Sequence, residues 1–203
     1  MWRIVLCLLL LLPAGASTAA PTILVFGDSL SAAYGIDPQS GWVALLQKRL
    51  TRERYPHRVV NASISGDTTL GGRERLRSAL LRHRPEIVIL ELGGNDGLRA
   101  IALREIQANL AELIRLSQKN SARALVVGIR LPPNYGKRYT EGFHAIYGQL
   151  AQQFGTGLVP FLLEGVATQP GMMQPDGIHP TAAAQPRMAE NVWIHLEPLL
   201  AKP

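Results

Sequence analysis

Five times along this chain an apolar run of strand length gives way to a segment with helical spacing. The runs are 22–26 (TILVF), 58–62 (RVVNA), 86–92 (EIVILEL), 124–129 (ALVVGI) and 158–161 (LVPF). Between them, helical patterns begin at Ser40 (Trp42, Leu45, Leu46 and Leu50 on one face) and span 70–83. Leu103, Ile106, Leu110, Leu113 and Ile114 mark a third, and 139–154 and 181–196 complete the set. A strand with one wet face alternates apolar and polar residues, whereas a continuous apolar strand needs cover on both faces. Strands alternating with helices meet that need as a parallel sheet with helices on either side. The chain therefore reads as a single α/β domain with a five-stranded parallel sheet. Hydrophobic residues make up 47% and charged residues 18% of the 203, enough to bury a core and too apolar for a disordered or collagen-like chain or a nucleic-acid tail. One cysteine excludes a disulfide framework and a four-cysteine zinc site.

The first nineteen residues break the pattern. Met1-Trp2-Arg3 precedes IVLCLLLLL (4–12), then Pro13 and the small residues AGASTAA. A basic start, a short apolar run and small residues at a cleavage position describe a secretory signal peptide; a buried N-terminal helix is the other reading. The run is about half the length that spans a bilayer. Cleavage after Ala19 leaves 20–203 as one domain without a stable membrane anchor, expected as a periplasmic or secreted monomer. It also removes Cys7, and with Arg3 one unit of the formal charge of +6. The mean hydropathy of +0.08 owes its excess to this leader.

In open parallel sheets, ligands bind outside the carboxyl ends of the strands. The polar residues gather at those positions. Gly27-Asp28-Ser29-Leu30-Ser31 follows the first strand, Asn61 to Asp67 the second, Gly93-Gly94-Asn95-Asp96-Gly97 the third, and Asp176-Gly177-Ile178-His179-Pro180 lies in a late loop. A hydroxyl attacks a carbonyl only with a base beside it. Ser29 is the candidate nucleophile, a turn or cap serine being the plainer reading. His179 is the best base among five histidines, since His57, His83, His144 and His195 lie on charged helical or loop segments without a nearby loop carboxylate. Asp176, three residues earlier, can fold back onto the ring's Nδ1–H and fix its tautomer. Oxyanion donors are available in the amides of Ser29 and Gly66 and the Asn95 side chain. Asp28, Asp67 and Asp96 flank these motifs and are read as tying the loops through Asx-type hydrogen bonds.

These four blocks resemble the GDSL family of serine esterases, also called SGNH hydrolases. The nucleophile block resembles Phe26 to Ser31, the glycine block the Gly66 loop, the G-x-N-D block Gly93 to Asp96, and the D-x-x-H block Asp176 to His179. NASISGDTT, ELGGNDGLR, IRLPPNYGKRY and DGIHP are similar to the bacterial exported thioesterase I, lysophospholipase and arylesterase branch. The resemblance implies a three-layer flavodoxin-like fold, no metal and no cofactor. It implies Ser29 as nucleophile, His179 as base, Asp176 as its orienter, and Ser29, Gly66 and Asn95 as oxyanion donors. It also implies that segment 97–102 closes on acyl chains.

The expected activity is hydrolysis of small-molecule esters and thioesters (lysophospholipid, acyl-CoA or aryl ester) through an acyl-enzyme, with no nucleic-acid partner. Leu30, Leu98, Ile101, Leu131, Pro132, Tyr135 and Ile178 are the candidate substrate contacts in a shallow cleft. Arg130, Lys137 and Arg138 either attract a phosphorylated leaving group or form a solvated basic surface. The G-x-S-x-G elbow of ordinary α/β-hydrolases is absent. A metallophosphoesterase would gather Asp28, Asp67, Asp96 and His179 around metals, though no Asp-x-His occurs. A non-catalytic binding module would have no need of Ser29, Asp176 and His179 together.

Overall fold

The computed structural model describes residues 20–200. The expected leader, 1–19, lies outside the described residues. The strands are β1 (Thr22–Gly27), β2 (Arg58–Asn61), β3 (Ile87–Glu91), β4 (Arg123–Val127) and β5 (Gly157–Val159). The helices are α1 (Trp42–Arg52), α2 (Thr69–His83), α3 (Gly94–Leu98), α4 (Leu103–Lys119), α5 (Lys137–Phe154) and α6 (Gln185–Leu196). All strands pair in parallel, in the order β2-β1-β3-β4-β5. The chain moves outward from β1 to β2, then returns to place β3 on β1's other side. That reversal opens a crevice at the carboxyl ends of β1 and β3, the place where such sheets hold ligands.

Both faces of the sheet are covered. Ile23, Val25, Ile87 and Ile89 pack with Trp42, Leu46 and Leu50 of α1 and Val192, Trp193 and Leu196 of α6. Leu24, Phe26, Val88 and Leu90 turn the other way, onto Leu76 of α2, Leu110 and Leu113 of α4, and Phe143 and Tyr147 of α5. This is a three-layer α/β fold, and the double burial explains the unbroken apolar runs. Each such aliphatic side chain contributes about 1.5–3 kcal/mol relative to an exposed one.

The outer boundaries differ from the sequence reading. Strand β4 stops at Val127: the Gly128 N–H makes the last bond to β5, to Val159 O (2.8 Å), and Gly128 then packs so close to the Pro160 backbone that a Cβ there would meet Pro160 O at 2.2 Å. Strand β5 stops before Pro160, which has no N–H for the ladder. The terminal helix does not run from Thr181. A 3-10 turn at Ala182–Ala184 precedes α6, and Pro186 sits in its first turn. A proline there would clash with the carbonyl four residues back in one continuous helix. The segment after β3, read as a loop, forms the short helix α3.

Candidate active site

The turn that carries Ser29 begins where β1 ends against β3. A Cβ on Gly27 would lie 2.7 Å from Glu91 Oε2 and 2.9 Å from Glu91 O, so only glycine permits this approach. Asp28 then folds the turn: its Oδ1 accepts the Leu30 N–H at 3.0 Å. From beneath, Glu91 Oε2 accepts the Ser31 hydroxyl (2.6 Å) and the Asp28 N–H (3.4 Å). Trp42 Nε1–H donates to Leu30 O at 3.2 Å, and Asn61 Nδ2 to Ser31 O at 2.8 Å. Ser29 is left at the rim, half-buried.

His179 Nε2 lies 2.9 Å from Ser29 Oγ, and His179 Nδ1 lies 2.6 Å from Asp176 Oδ2. The other Asp176 oxygen accepts the backbone N–H groups of Ile178 and His179, each at 2.9 Å. Gly177 at φ +68° allows this tight return. The His179 N–H, then the ring and the Ile178 N–H, hold the Asp176 carboxyl down at about 2. It is therefore ionised at neutral pH and suited to accept the ring's Nδ1–H, which leaves Nε2 facing Ser29 as an acceptor. The Tyr34 ring covers the imidazole at 4.4 Å. Gln174 secures the loop by donating to Tyr34 O (2.9 Å) and Pro180 O (3.0 Å).

The amides of Ser29 and Gly66 donate to no protein acceptor among the described residues. Gly66 has φ +81° and open space where a Cβ would stand. Asn95, carried by α3, donates from Nδ2 to Asp67 O (2.9 Å) and Asp28 Oδ2 (3.1 Å).

Each of the three flanking aspartates ties a loop. Asp28 makes the Asx-type bond within its own turn. Asp67 accepts the Thr68 N–H and pairs with Arg75, whose NH1 also donates to Ala62 O at 2.6 Å and whose guanidinium lies 3.7 Å over the Phe26 ring. Asp96 is buried and accepts the Thr69 N–H (2.9 Å) and hydroxyl (2.6 Å), joining α3 to the start of α2. These acids face different partners, and among the described residues no three His, Cys, Asp or Glu side chains are placed to hold a metal ion.

A cleft of about 630 Å³ runs from Ser29 and His179. Of the seven expected substrate contacts, Leu30, Leu98, Leu131, Pro132 and Ile178 line it. Ile101 and Tyr135 do not. Ile101 packs on the core around α4 and α5, and its carbonyl accepts the Tyr139 hydroxyl at 2.6 Å. The Tyr135 hydroxyl donates to Leu98 O at 3.0 Å, so this side chain braces the loop after α3 from behind. Arg130 lines the cleft, 5.4 Å over the Phe161 ring, whereas Lys137 and Arg138 border a separate hollow beside Tyr135. Ile129, Phe161, Leu163, Ala167 and Met173 complete the apolar walls. Phe161 lies in the loop after β5, where the sequence reading places the end of the strand, and Leu163 follows in a segment without a polar motif to mark it. Glu91 escaped that reading too, although a carboxylate inside an otherwise apolar central strand is a readable anomaly. His57 also differs from expectation: it is buried beside Glu86, 3.4 Å from its Oε2, at the sheet edge opposite the cleft.

The profile of the GDSL-like lipase/acylhydrolase family matches residues 25–186. Esterase TesA of Pseudomonas aeruginosa is 58% identical over 182 residues, 90% of each chain. The Escherichia coli K12 thioesterase 1/protease 1/lysophospholipase L1 is 43% identical over 199 residues, 98% of this chain and 94% of that one. The crystal structure of the psychrotrophic esterase EstA from Pseudoalteromonas sp., inhibited by monoethylphosphonate, superposes with a TM-score of 0.84 at 38% identity, covering 88% of this chain and 97% of that one.

Proposed function

The chain belongs to the GDSL-like lipase/acylhydrolase family, and on that premise we propose that it hydrolyses acyl esters and thioesters with Ser29 as nucleophile. The observation that carries this reading is the unbroken line Ser29 Oγ, His179 Nε2, His179 Nδ1, Asp176 Oδ2, with contacts of 2.9 and 2.6 Å. His179 Nε2 takes the Ser29 proton as Oγ bonds to the substrate carbonyl carbon. The π electrons move to the carbonyl oxygen, which the Ser29 and Gly66 amides and the Asn95 side chain receive. Collapse of this intermediate breaks the bond to the leaving alcohol or thiol, and the imidazolium returns its proton to that group. Water then repeats the sequence on the acyl-enzyme and releases the acid.

The cleft walls are mostly aliphatic and begin beside Ser29, which suits an acyl chain or an aryl ring. A thioester or a lysophospholipid, the substrate kinds in the name of the Escherichia coli relative, suits that shape. We assign residues 1–19 as an export signal, 20–203 as the mature monomer, and the periplasm or exterior as its place of action. No helix among the described residues is long and apolar enough to cross a membrane.

Replacing Ser29 with alanine tests the assignment. Hydrolysis of p-nitrophenyl butyrate should fall by about a thousandfold or more while cooperative melting persists, because binding and the oxyanion donors alone give only a small residual rate. Activity within tenfold of the wild type would reject Ser29.

A further inference from the structure

The two hydrogens of the Asn95 amide are both engaged, one by a backbone carbonyl and one by Asp28. The Asp28 partner is the unusual one. Asp28 is 2% exposed, and its two oxygens serve different parts of the site: Oδ1 accepts the Leu30 N–H on the nucleophile turn, and Oδ2 accepts from Asn95 on α3. Little freedom remains to it. A Cβ on Gly94 would lie 3.3 Å from Oδ2, and the Asp28 N–H is held by Glu91, which is itself fully buried. We propose that Asp28 is a positioning residue that fixes the distance between the nucleophile and the oxyanion donor, bridging Ser29's turn to Asn95 through one carboxylate. This rests on the assignment of Asn95 as a donor.

The chemistry asks for a carboxylate at this position. An ionised carboxyl is an acceptor on both oxygens, whereas an amide accepts on one side only. Burial pushes the Asp28 carboxyl up to about 6, so at neutral pH it is mainly ionised, with both oxygens free to accept. Asparagine at 28 keeps the size and removes the second acceptor. If its oxygen faces Leu30, its NH₂ opposes the NH₂ of Asn95; if it flips, the turn loses its cap. In the transition state Asn95 must serve a third acceptor, the oxyanion. The two present bonds, to Asp67 O and Asp28 Oδ2, hold the amide in the plane from which one of its hydrogens turns to that oxygen. The bridge thus aligns the amide before charge develops. Such a role acts on kcat more than on KM.

The test is a double-mutant cycle in the full mature chain, with p-nitrophenyl butyrate, of Asp28→Asn and Asn95→Ala. Asn95→Ala should lower kcat by about a hundred- to a thousandfold. Asp28→Asn should lower kcat by about ten- to a hundredfold, a share of that loss, and leave KM within about threefold. In the Asn95→Ala background the same change should cost less than about threefold, because the group it positions is gone. Asp28→Ser, whose hydroxyl can cap Leu30 but cannot span to Asn95, should repeat the kcat loss and serves if the asparagine variant melts early. Unchanged kcat in both Asp28 variants would overturn the proposal, as would losses that multiply fully with Asn95→Ala. If Asn95→Ala itself leaves kcat unchanged, the donor assignment fails instead.

Discussion

Asp176 shows how much of the site's chemistry rests on one side chain. One oxygen is committed to two backbone N–H groups, so only the other faces His179. Asparagine at 176 keeps the first oxygen's bonds and turns an NH₂ toward the ring. Nδ1 must then accept, the proton moves to Nε2, and the imidazole presents a donor to Ser29 where a base is needed. The predicted loss in kcat is about 10²- to 10⁴-fold with little change in KM, measured by steady-state hydrolysis of p-nitrophenyl butyrate. A kcat within threefold would show that the ring keeps its tautomer without the carboxylate. At this scale the sequence was informative for residues within one loop. Asp176 and His179 are three apart, and a glycine-containing turn closes them. It was silent on partners brought together by two strands: Glu91 stands out as a carboxylate in an apolar run, but its bond to Ser31, sixty residues away in the chain, is written in no local pattern.

Among the elements, α3 is the least legible and the most consequential. Two of its five residues, Gly94 and Gly97, are glycines, a residue that disfavours a helix interior by about 1 kcal/mol relative to alanine. Tertiary packing overrides that propensity. A Cβ on Gly97 would meet the Leu131 methyls at 2.6 and 2.8 Å and Phe143 at 3.0 Å, so the helix forms because it can press flat against these side chains. Asp96 fastens its other side to Thr69. Gly97→Ala should therefore destabilise by about 1–3 kcal/mol and, by shifting α3, lower kcat through Asn95. Gly148 in α5 is the matched control: nothing lies within 4 Å of its Cβ position, and alanine there should stabilise by about 0.5–1 kcal/mol without changing kcat. Thermal melts and kinetics on the two variants check both signs. If Gly97→Ala melts and turns over like wild type, close packing is not what shapes α3. The strands were readable because burial on both faces writes a continuous apolar run. Their carboxyl ends were not, because β5 ends at a proline without an N–H and β4 where Gly128 presses on the Pro160 backbone, a contact between separate loops. Ile101 and Tyr135 fall outside the cleft lining for a related reason, since proximity in sequence to the site does not say which way a loop residue turns.

For the molecule as a whole, the strand order is what gathers the proposed reactive groups from four separated loops. The reversal between β1 and β3 brings Ser29 and Asn95 to one crevice. The loop after β2 places Gly66 at its edge, and the loop before α6 returns His179 across it. An apolar cleft of about 630 Å³ opens from the same point, so the cleft and the proposed reacting groups share one end of the sheet. This arrangement predicts a single activated serine on the chain. The direct measurement is intact-protein and peptide mass spectrometry after treatment with a p-nitrophenyl alkylphosphonate, a phosphonate class chosen because EstA is a phosphonate-inhibited relative. The account predicts one adduct per chain, on the peptide containing Ser29, formed as hydrolytic activity is lost and absent from a folded Ser29→Ala variant. An adduct on another residue, or full inactivation with Ser29 unmodified, would contradict it.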